Sequence, residues 1–261
     1  MDVRSSYVDT VGIRARRIVS VHGDDELYRD GLSSRSLMEK TLNSKKYKNV
    51  CESTVKRLMK KYDDIKDVKR KLHQIYGAYE RKINYKRALT QPVEEVLKLH
   101  QSTKERVSFY DEFYSKIFAI TGKPKTVLDL ACGLNPLSFP DDITIYAYDI
   151  DKAEIEFLNE WFAKNNVKGK AYLQDIICKV PTRKADVAFL LKTAPCLEQQ
   201  EKGISAKIIS KLNAKWIIVS FPTRSIGGRG RLNYEEQYKE LLKGAKKIEF
   251  KNEVIFILKN E

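Results

Sequence analysis

Gly133 closes one short apolar run, and sixteen positions later Asp149 ends the next. Residues 126–151, TVLDLACGLNPLSFPDDITIYAYDID, read as strand, glycine turn, short helical segment, second strand and acidic tip. Val127, Leu128, Leu130 and Ala131 form a run that suits a strand buried on both faces, as in a parallel sheet. Gly133 has no Cβ, so backbone there can come close to a ligand. Asn135 and Pro136 are placed to cap and open the helical segment. A carboxylate at the tip of the second strand, over residues 143–150, is where α/β nucleotide folds hold ribose hydroxyls. The G-x-G-x-x-G turn that would cradle a pyrophosphate is absent. Ribose recognition without a phosphate cradle favours S-adenosylmethionine over a dinucleotide. An ordinary strand–turn–helix with a solvated Asp149 is the alternative that this stretch alone leaves open.

The elements around that stretch alternate. A helix is expected over 152–165, a short strand over 169–174 ending at Asp175, and a buried strand over 185–191. Helix 204–212, strand 215–221, helix 233–243 and two strands near 246–251 and 253–258 follow, the last pair joined by a tight turn at 251–252. Strands separated by helices imply a mostly parallel sheet, and the final pair an antiparallel hairpin at its edge. The pattern matches the class I S-adenosylmethionine-dependent methyltransferase fold, an α/β sheet of seven strands. Ligands in such sheets bind beyond the carboxyl ends of the strands. Residues 131–133, Asp149, Asp175, Ile176, Leu191, Lys192 and 221–223 therefore share one edge. There Asp149 would take the ribose, and Asp175 with the Ile176 backbone would face the adenine. Arg106 has the fork geometry to pair with the methionine carboxylate, although pattern alone favours a surface charge beside Glu105. The loop at 223–231 carries three arginines and three glycines, a composition suited to capturing phosphate or a base.

Upstream, helices are expected over 54–62, 65–79, from Pro92 to His100, and from about 104 to 120. They form a helical lobe over residues 38–104, ahead of the methyltransferase domain at 105–261. Residues 1–37 form a poorly defined extension, with one short helix expected around 11–21. The chain has 261 residues and a formal net charge of +14. Residues 40–105 hold eighteen Lys and Arg against eight Asp and Glu, whereas 106–261 hold 25 against 20. A basic lobe on a less charged body is the footprint of a polyanion partner. No apolar run of about 18 residues suggests a membrane span, and residues 1–10 lack the apolar core of a secretory signal. Four scattered cysteines without C-x-x-C, and three histidines, argue for reduced thiols in a cytoplasmic protein and against a metal centre.

Several segments together resemble the aminoglycoside-resistance 16S rRNA methyltransferases that act on N7 of guanosine 1405. They are LNSKKYKNV at 42–50, KLHQIYGAY at 71–79, LHQSTKERV at 99–107, VLDLACGLNPLSFP at 127–140 and YDID at 148–151. LLKTAPCLEQQ at 190–200 and SFPTRSIGGRGR at 220–231 complete the set, in chain order. The resemblance implies cofactor contacts at Arg106, Ala131, Gly133, Asp149, Asp175, Ile176, Leu191 and Gln200, with His100, Gln101 and Ser102 beside them. It also implies that the lobe docks on 16S rRNA of the 30S subunit, with Lys71, His73, Lys192, Arg224, Arg229 and Arg231 facing the RNA. The chain departs from the family after the GGR loop, where LNYEEQY begins at Leu232 in place of a Gly-Met-Glu segment. A monomer without metal is expected.

Guanine N7 bears a lone pair and no proton, so its methylation requires no general base. No acid–base pair is therefore assigned; Lys192 is the one candidate for steering the base, and Cys132 reads as a packing residue. Tyr76, Tyr79 and Phe221 are candidates either to stack on the target base or to belong to the core. Two alternatives stay open: a methyltransferase on an adenosine N1 of the decoding region, or a non-enzymatic RNA-binding protein with a degenerate cofactor fold.

Overall fold

The computed structural model describes residues 34–77, 83–223 and 234–260. The helix expected around 11–21, Tyr79, Arg224, Arg229 and Arg231 lie outside them.

The chain begins with helices α1 (Ser34–Leu42), α2 (Glu52–Lys61) and α3 (Ile65–Leu72), the last continued by a π-helical turn, His73–Gly77. Asp64 caps α3 by accepting from the Lys66 N–H. Short helices α4 (Tyr85–Ala88), α5 (Val93–Leu97) and α6 (Gln101–Lys104) lead to a 3-10 turn, Val107–Phe109, and α7 (Tyr110–Thr121). The body then runs β1 (Thr126–Leu130), a 3-10 turn (Asn135–Ser138), β2 (Thr144–Asp149), α8 (Lys152–Lys164), β3 (Gly169–Leu173) and β4 (Ala185–Leu191). Helices α9 (Ala194–Glu198) and α10 (Ile204–Ile209) precede β5 (Ala214–Pro222), and β6 (Lys246–Glu249) and β7 (Glu253–Lys259) end it.

The seven strands form one sheet in the order β3-β2-β1-β4-β5-β7-β6. The first five are mutually parallel, and β7 runs antiparallel to both β5 and β6. Alternation along the strands sorts side chains to two faces. Val127, Phe189 and Ile218 join the core beneath α4–α8, while Leu128, Leu130, Leu190 and Val219 join the core beneath α9 and α10. The fold is that of the S-adenosylmethionine-dependent methyltransferases, with the expected edge hairpin in place.

Several local expectations differ from what forms. The single helix expected from about 104 to 120 breaks after Lys104 and resumes at Tyr110, and in the break Arg106 turns inward, to 1% exposure. Asn135 is no helix cap: its amide is buried and donates to the Asp129 carboxylate at 2.9 Å. Over 235–244 the chain forms successive turns rather than a helix, although the Tyr238 and Leu242 N–H groups each bond four residues back. Tyr234 and Tyr238 lie against the Phe221 ring, at 5.1 and 4.8 Å. The lobe expected to reach residue 104 has a core of its own only from Tyr47 to Tyr76. Ala88, Val96 and Leu97 pack into the core of the sheet instead.

Candidate functional site

Order and direction of the strands bring the carboxyl ends of β1, β2, β3 and β4 to one edge, and the strand order reverses between β1 and β4. Such a reversal opens a crevice between neighbouring loops. Register then fixes the neighbours. Leu130 lies opposite Tyr148, the Cys132 N–H donates to the Tyr148 carbonyl at 3.1 Å, and the Gly133 N–H donates to Asp149 Oδ2 at 3.0 Å. Ala131 and Gly133 both have left-handed backbone, with φ of 50° and 52°. The close approach at Gly133 is made by His100, since a Cβ there would meet the imidazole at 3.1 Å. The other carboxylate oxygen of Asp149 accepts from the N–H groups of Ile150 and Asp151, at 2.6 and 3.3 Å.

The part of the edge beyond β3 and β4 is more crowded than the sequence suggests. Ile176 and Leu191 are buried. Asp175 is buried as well; its Oδ1 accepts from the N–H groups of Ile177 and Cys178. Its Oδ2 accepts from Nε and Nη2 of Arg57, at 3.0 and 2.9 Å. The same Nη2 donates to Gln200 Oε1 at 2.7 Å. Arg57 was not among the residues expected here, because it sits in a lysine-rich helix with nothing in its spacing to mark it.

On the opposite flank, a surface location for Arg106 does not hold. Its Nε and Nη2 donate to the two oxygens of Glu253, at 2.7 and 2.6 Å, with both side chains almost wholly buried. Lys192 Nζ lies 2.5 Å from Glu105 and 3.6 Å from Glu253. Burial works to raise the Glu253 pKa, but Arg106, Lys192 and the Ser220 hydroxyl hold it below the usual carboxylate range. Lys192 has φ of 57°, a strained conformation for a non-glycine residue directly after β4. Glu253, which opens an otherwise apolar strand, is a second residue that sequence reasoning missed. A charge at the head of EVIFIL was its only signal.

Of the remaining expected residues, His100 Nδ1 lies 3.0 Å from the Ser102 hydroxyl, and Gln101 donates to Glu105 at 2.8 Å. Lys71 Nζ donates to the Gln199 carbonyl at 2.9 Å, and Lys46 Nζ lies 3.0 Å from His73 Nδ1 at the exposed end of the lobe. Phe221 is fully buried and belongs to the core. Tyr76 also packs in a core, and its hydroxyl donates to Asp151 at 3.1 Å.

The crevice floor is acidic. Burial pushes Asp129 up to about 7 against the Asn135 hydrogen bond and the Arg106 charge, and Asp151 up to about 6. It raises Asp149 too, and Glu154, whose neighbours Asp149, Asp151 and Asp129 add to the effect. Ligand atoms of Cys132, Asp149 and Glu154 lie within 4.8 Å of one another, but burial raises the Cys132 thiol well above its ordinary value as well. The Cys132 thiol thus keeps its proton near neutrality, which makes it a poor cation ligand and a poor nucleophile.

Each of these carboxyls binds its proton more tightly folded than unfolded. Stability therefore falls as pH rises from the ordinary carboxylate range to about 7. Melting temperatures are expected to be higher near about pH 5.5 than near about pH 7.5, with Asp129→Asn flattening the slope. Scanning calorimetry across that interval checks the sign. Glu253, shifted the opposite way, loses its contribution only below the ordinary carboxylate range.

The edge offers a carboxylate beside a tight turn, apolar Ile176 and Leu191, and a guanidinium, a set of groups that fits the chemistry of S-adenosylmethionine. A family model described as "Ribosomal RNA methyltransferase (FmrO)" matches residues 43–251. The chain is 34% identical to a 16S rRNA (guanine(1405)-N(7))-methyltransferase of Micromonospora rosea, over 85% of this chain and 95% of that protein. It is 33% identical to one of Serratia marcescens, over 81% and 89%. Among solved structures, the 16S rRNA methylase RmtB superposes with a TM-score of 0.79 at 28% identity, over 87% of this chain and 98% of that one. The 16S rRNA methyltransferase RmtF, in complex with S-adenosyl-L-homocysteine, gives a TM-score of 0.76 at 28% identity over 87% and 98%.

Proposed function

The chain belongs to the ribosomal RNA methyltransferase (FmrO) family, and from that premise we propose that it methylates N7 of guanosine 1405 in 16S rRNA of the 30S subunit, using S-adenosylmethionine. One observation carries the reading: the likeness to guanine(1405)-N7 methyltransferases runs through both the basic lobe and the cofactor edge. The expected consequence in a bacterial host is aminoglycoside resistance, with the protein acting in the cytoplasm as a monomer. No helix among the described residues is long and apolar enough to cross a membrane.

The cofactor supplies an already activated methyl group, so the residues have to bind, align and exclude water. Asp149 would hold a ribose hydroxyl while its backbone hydrogen bonds keep the turn after β1 in register. Ile176 and Leu191 would line the adenine. Arg106, with Glu253 on two of its N–H groups and Tyr110 beside it, is the guanidinium that would face the methionine carboxylate. Because N7 carries no proton, none of these residues has to remove one. Alignment alone can supply about 7–11 kcal/mol in favourable cases. Drawing the guanine from its stack costs a few kcal/mol, and the basic lobe and the loop at 223–231 would offset that by holding the surrounding phosphates.

Lys192, fixed by Glu105 and Glu253 at the head of the crevice, is placed to steer the base. Lys192→Ala is expected to keep the affinity for S-adenosylmethionine within about threefold and to lose most methylation, at least about tenfold in kcat/KM. Calorimetry alongside transfer of labelled methyl to purified 30S subunits reads both quantities; unchanged methylation would remove Lys192 from the site. The function itself is tested by primer extension on 16S rRNA from 30S subunits incubated with protein and cofactor, after reduction and aniline cleavage. A new stop at guanosine 1405 is the expected result. A stop elsewhere would keep the chemistry and reject the target.

A further inference from the structure

The basic lobe touches the loops after β2, β3 and β4. At the β2 loop, the Cys51 N–H donates to the Ile150 carbonyl and the Lys152 N–H to the Asn49 carbonyl, both at 2.7 Å, and Val50 forms an isolated antiparallel bridge with Asp151. At the β3 loop, Arg57 takes the Asp175 carboxylate, and the Cys178 thiol donates to the Ser53 carbonyl at 3.6 Å. Beyond β4, Arg57 reaches Gln200, Lys61 donates to the Gln200 carbonyl and Lys71 to that of Gln199.

We infer that Arg57 is a positioning residue for the cofactor, making the lobe one wall of the cofactor pocket and not only a docking surface for RNA. The stoichiometry of Asp175 is the main argument. A carboxylate has about four acceptor directions; two are taken by Arg57 and two by the N–H groups of Ile177 and Cys178. The carboxylate is thus spent on shaping the turn that presents the Ile176 backbone and on holding Arg57. Arg57 in turn fixes Gln200 from the other side, so one guanidinium sets the spacing of two loops that border the adenine. Its side chain is 17% exposed and points inward, which leaves it poorly placed to neutralise a phosphate. Lysine cannot replace it fully, because a single ammonium does not reproduce the planar fork.

This inference rests on placing S-adenosylmethionine at the strand ends, and it extends that reading to the lobe. The test uses the full chain with Arg57→Met and Arg57→Lys. Calorimetry reads the Kd for S-adenosylmethionine, methylation of 30S subunits gives KM for each substrate and kcat, and a thermal melt reports folding. Arg57→Met is expected to raise Kd and KM for the cofactor at least about tenfold with kcat within about threefold, and Arg57→Lys to recover part of that loss. A lower melting temperature with the cofactor Kd unchanged would make Arg57 a structural tie and overturn the inference. A raised KM for 30S subunits alone would make it an RNA contact and overturn it equally. Should Arg57→Met fail to fold, Lys61→Ala removes a neighbouring tie without leaving a buried charge unpaired. It is then expected to raise the cofactor Kd about threefold, and no change would overturn the inference. Wild-type protein that binds no S-adenosylmethionine would overturn the proposed function itself, whereas normal wild-type binding with an unaffected Arg57→Met variant would overturn only the role of Arg57.

Discussion

Replacing Asp149 with alanine is expected to leave a folded protein that has lost most of its S-adenosylmethionine binding and, with it, most methylation. The carboxylate is the acidic group at the tip of β2; three backbone N–H groups take three of its roughly four acceptor directions, and in the proposed arrangement it accepts from one ribose hydroxyl with the fourth. Hydrogen bonds to a charged acceptor contribute about 1.5–3 kcal/mol each. One such bond corresponds to roughly one to two orders of magnitude in Kd. A second effect adds to the first. The same side chain accepts from the N–H groups of Gly133, Ile150 and Asp151, so its loss also frees the turn after β1. Asp149→Asn keeps one acceptor oxygen and is expected to fall between the two. Isothermal calorimetry on the three proteins, with circular dichroism as a check on folding, gives the comparison. Cofactor affinity in Asp149→Ala within tenfold of the wild type would move the ribose site elsewhere on the edge.

The second large effect is expected at Glu253, on stability. Glu253→Gln keeps the volume and removes the charge, leaving Arg106 buried at 1% exposure without its counter-ion. Breaking a buried pair from one side costs about 3–5 kcal/mol. At about 2–4 °C per kcal/mol for a chain of this size, the melting temperature should drop by roughly 6–20 °C. Removing both charges, as Arg106→Met with Glu253→Met, should return much of that stability, since an apolar pair of similar volume is often no worse than an ion pair. The double variant should nevertheless stay inactive, because Arg106 and the support of Lys192 are gone together. Recovery of stability and of methylation alike would reduce the pair to a packing feature.

The sequence carried the fold because its signal is local. Alternating apolar runs along β1, β4 and β5 and the turn residues between them were enough to read the parallel sheet and its edge hairpin. A glycine and an aspartate sixteen positions apart were enough to mark the β1 turn and the tip of β2, which the structure joins through the Gly133 N–H to Asp149 hydrogen bond. The split in charge between lobe and body was likewise countable from the chain. Local signals misled at the helix expected through Arg106, which breaks where the guanidinium turns inward to Glu253.

What only the tertiary structure decided is which charges meet. Arg57 and Asp175 are 118 positions apart, Arg106 and Glu253 147, and Glu105 and Lys192 87. Periodicity tells which face of an element is apolar, but an ion pair between distant elements leaves no period behind. Burying a charge is tolerable only when a partner arrives from elsewhere in the fold, and each partner here comes from a different element. The amino-acid sequence by itself therefore determined the sheet and the family, and it offered the carboxylate at the tip of β2 that we propose for the ribose. Packing decided that Arg57 of the lobe meets Asp175 beyond β3 and that Arg106 meets Glu253 at the head of β7.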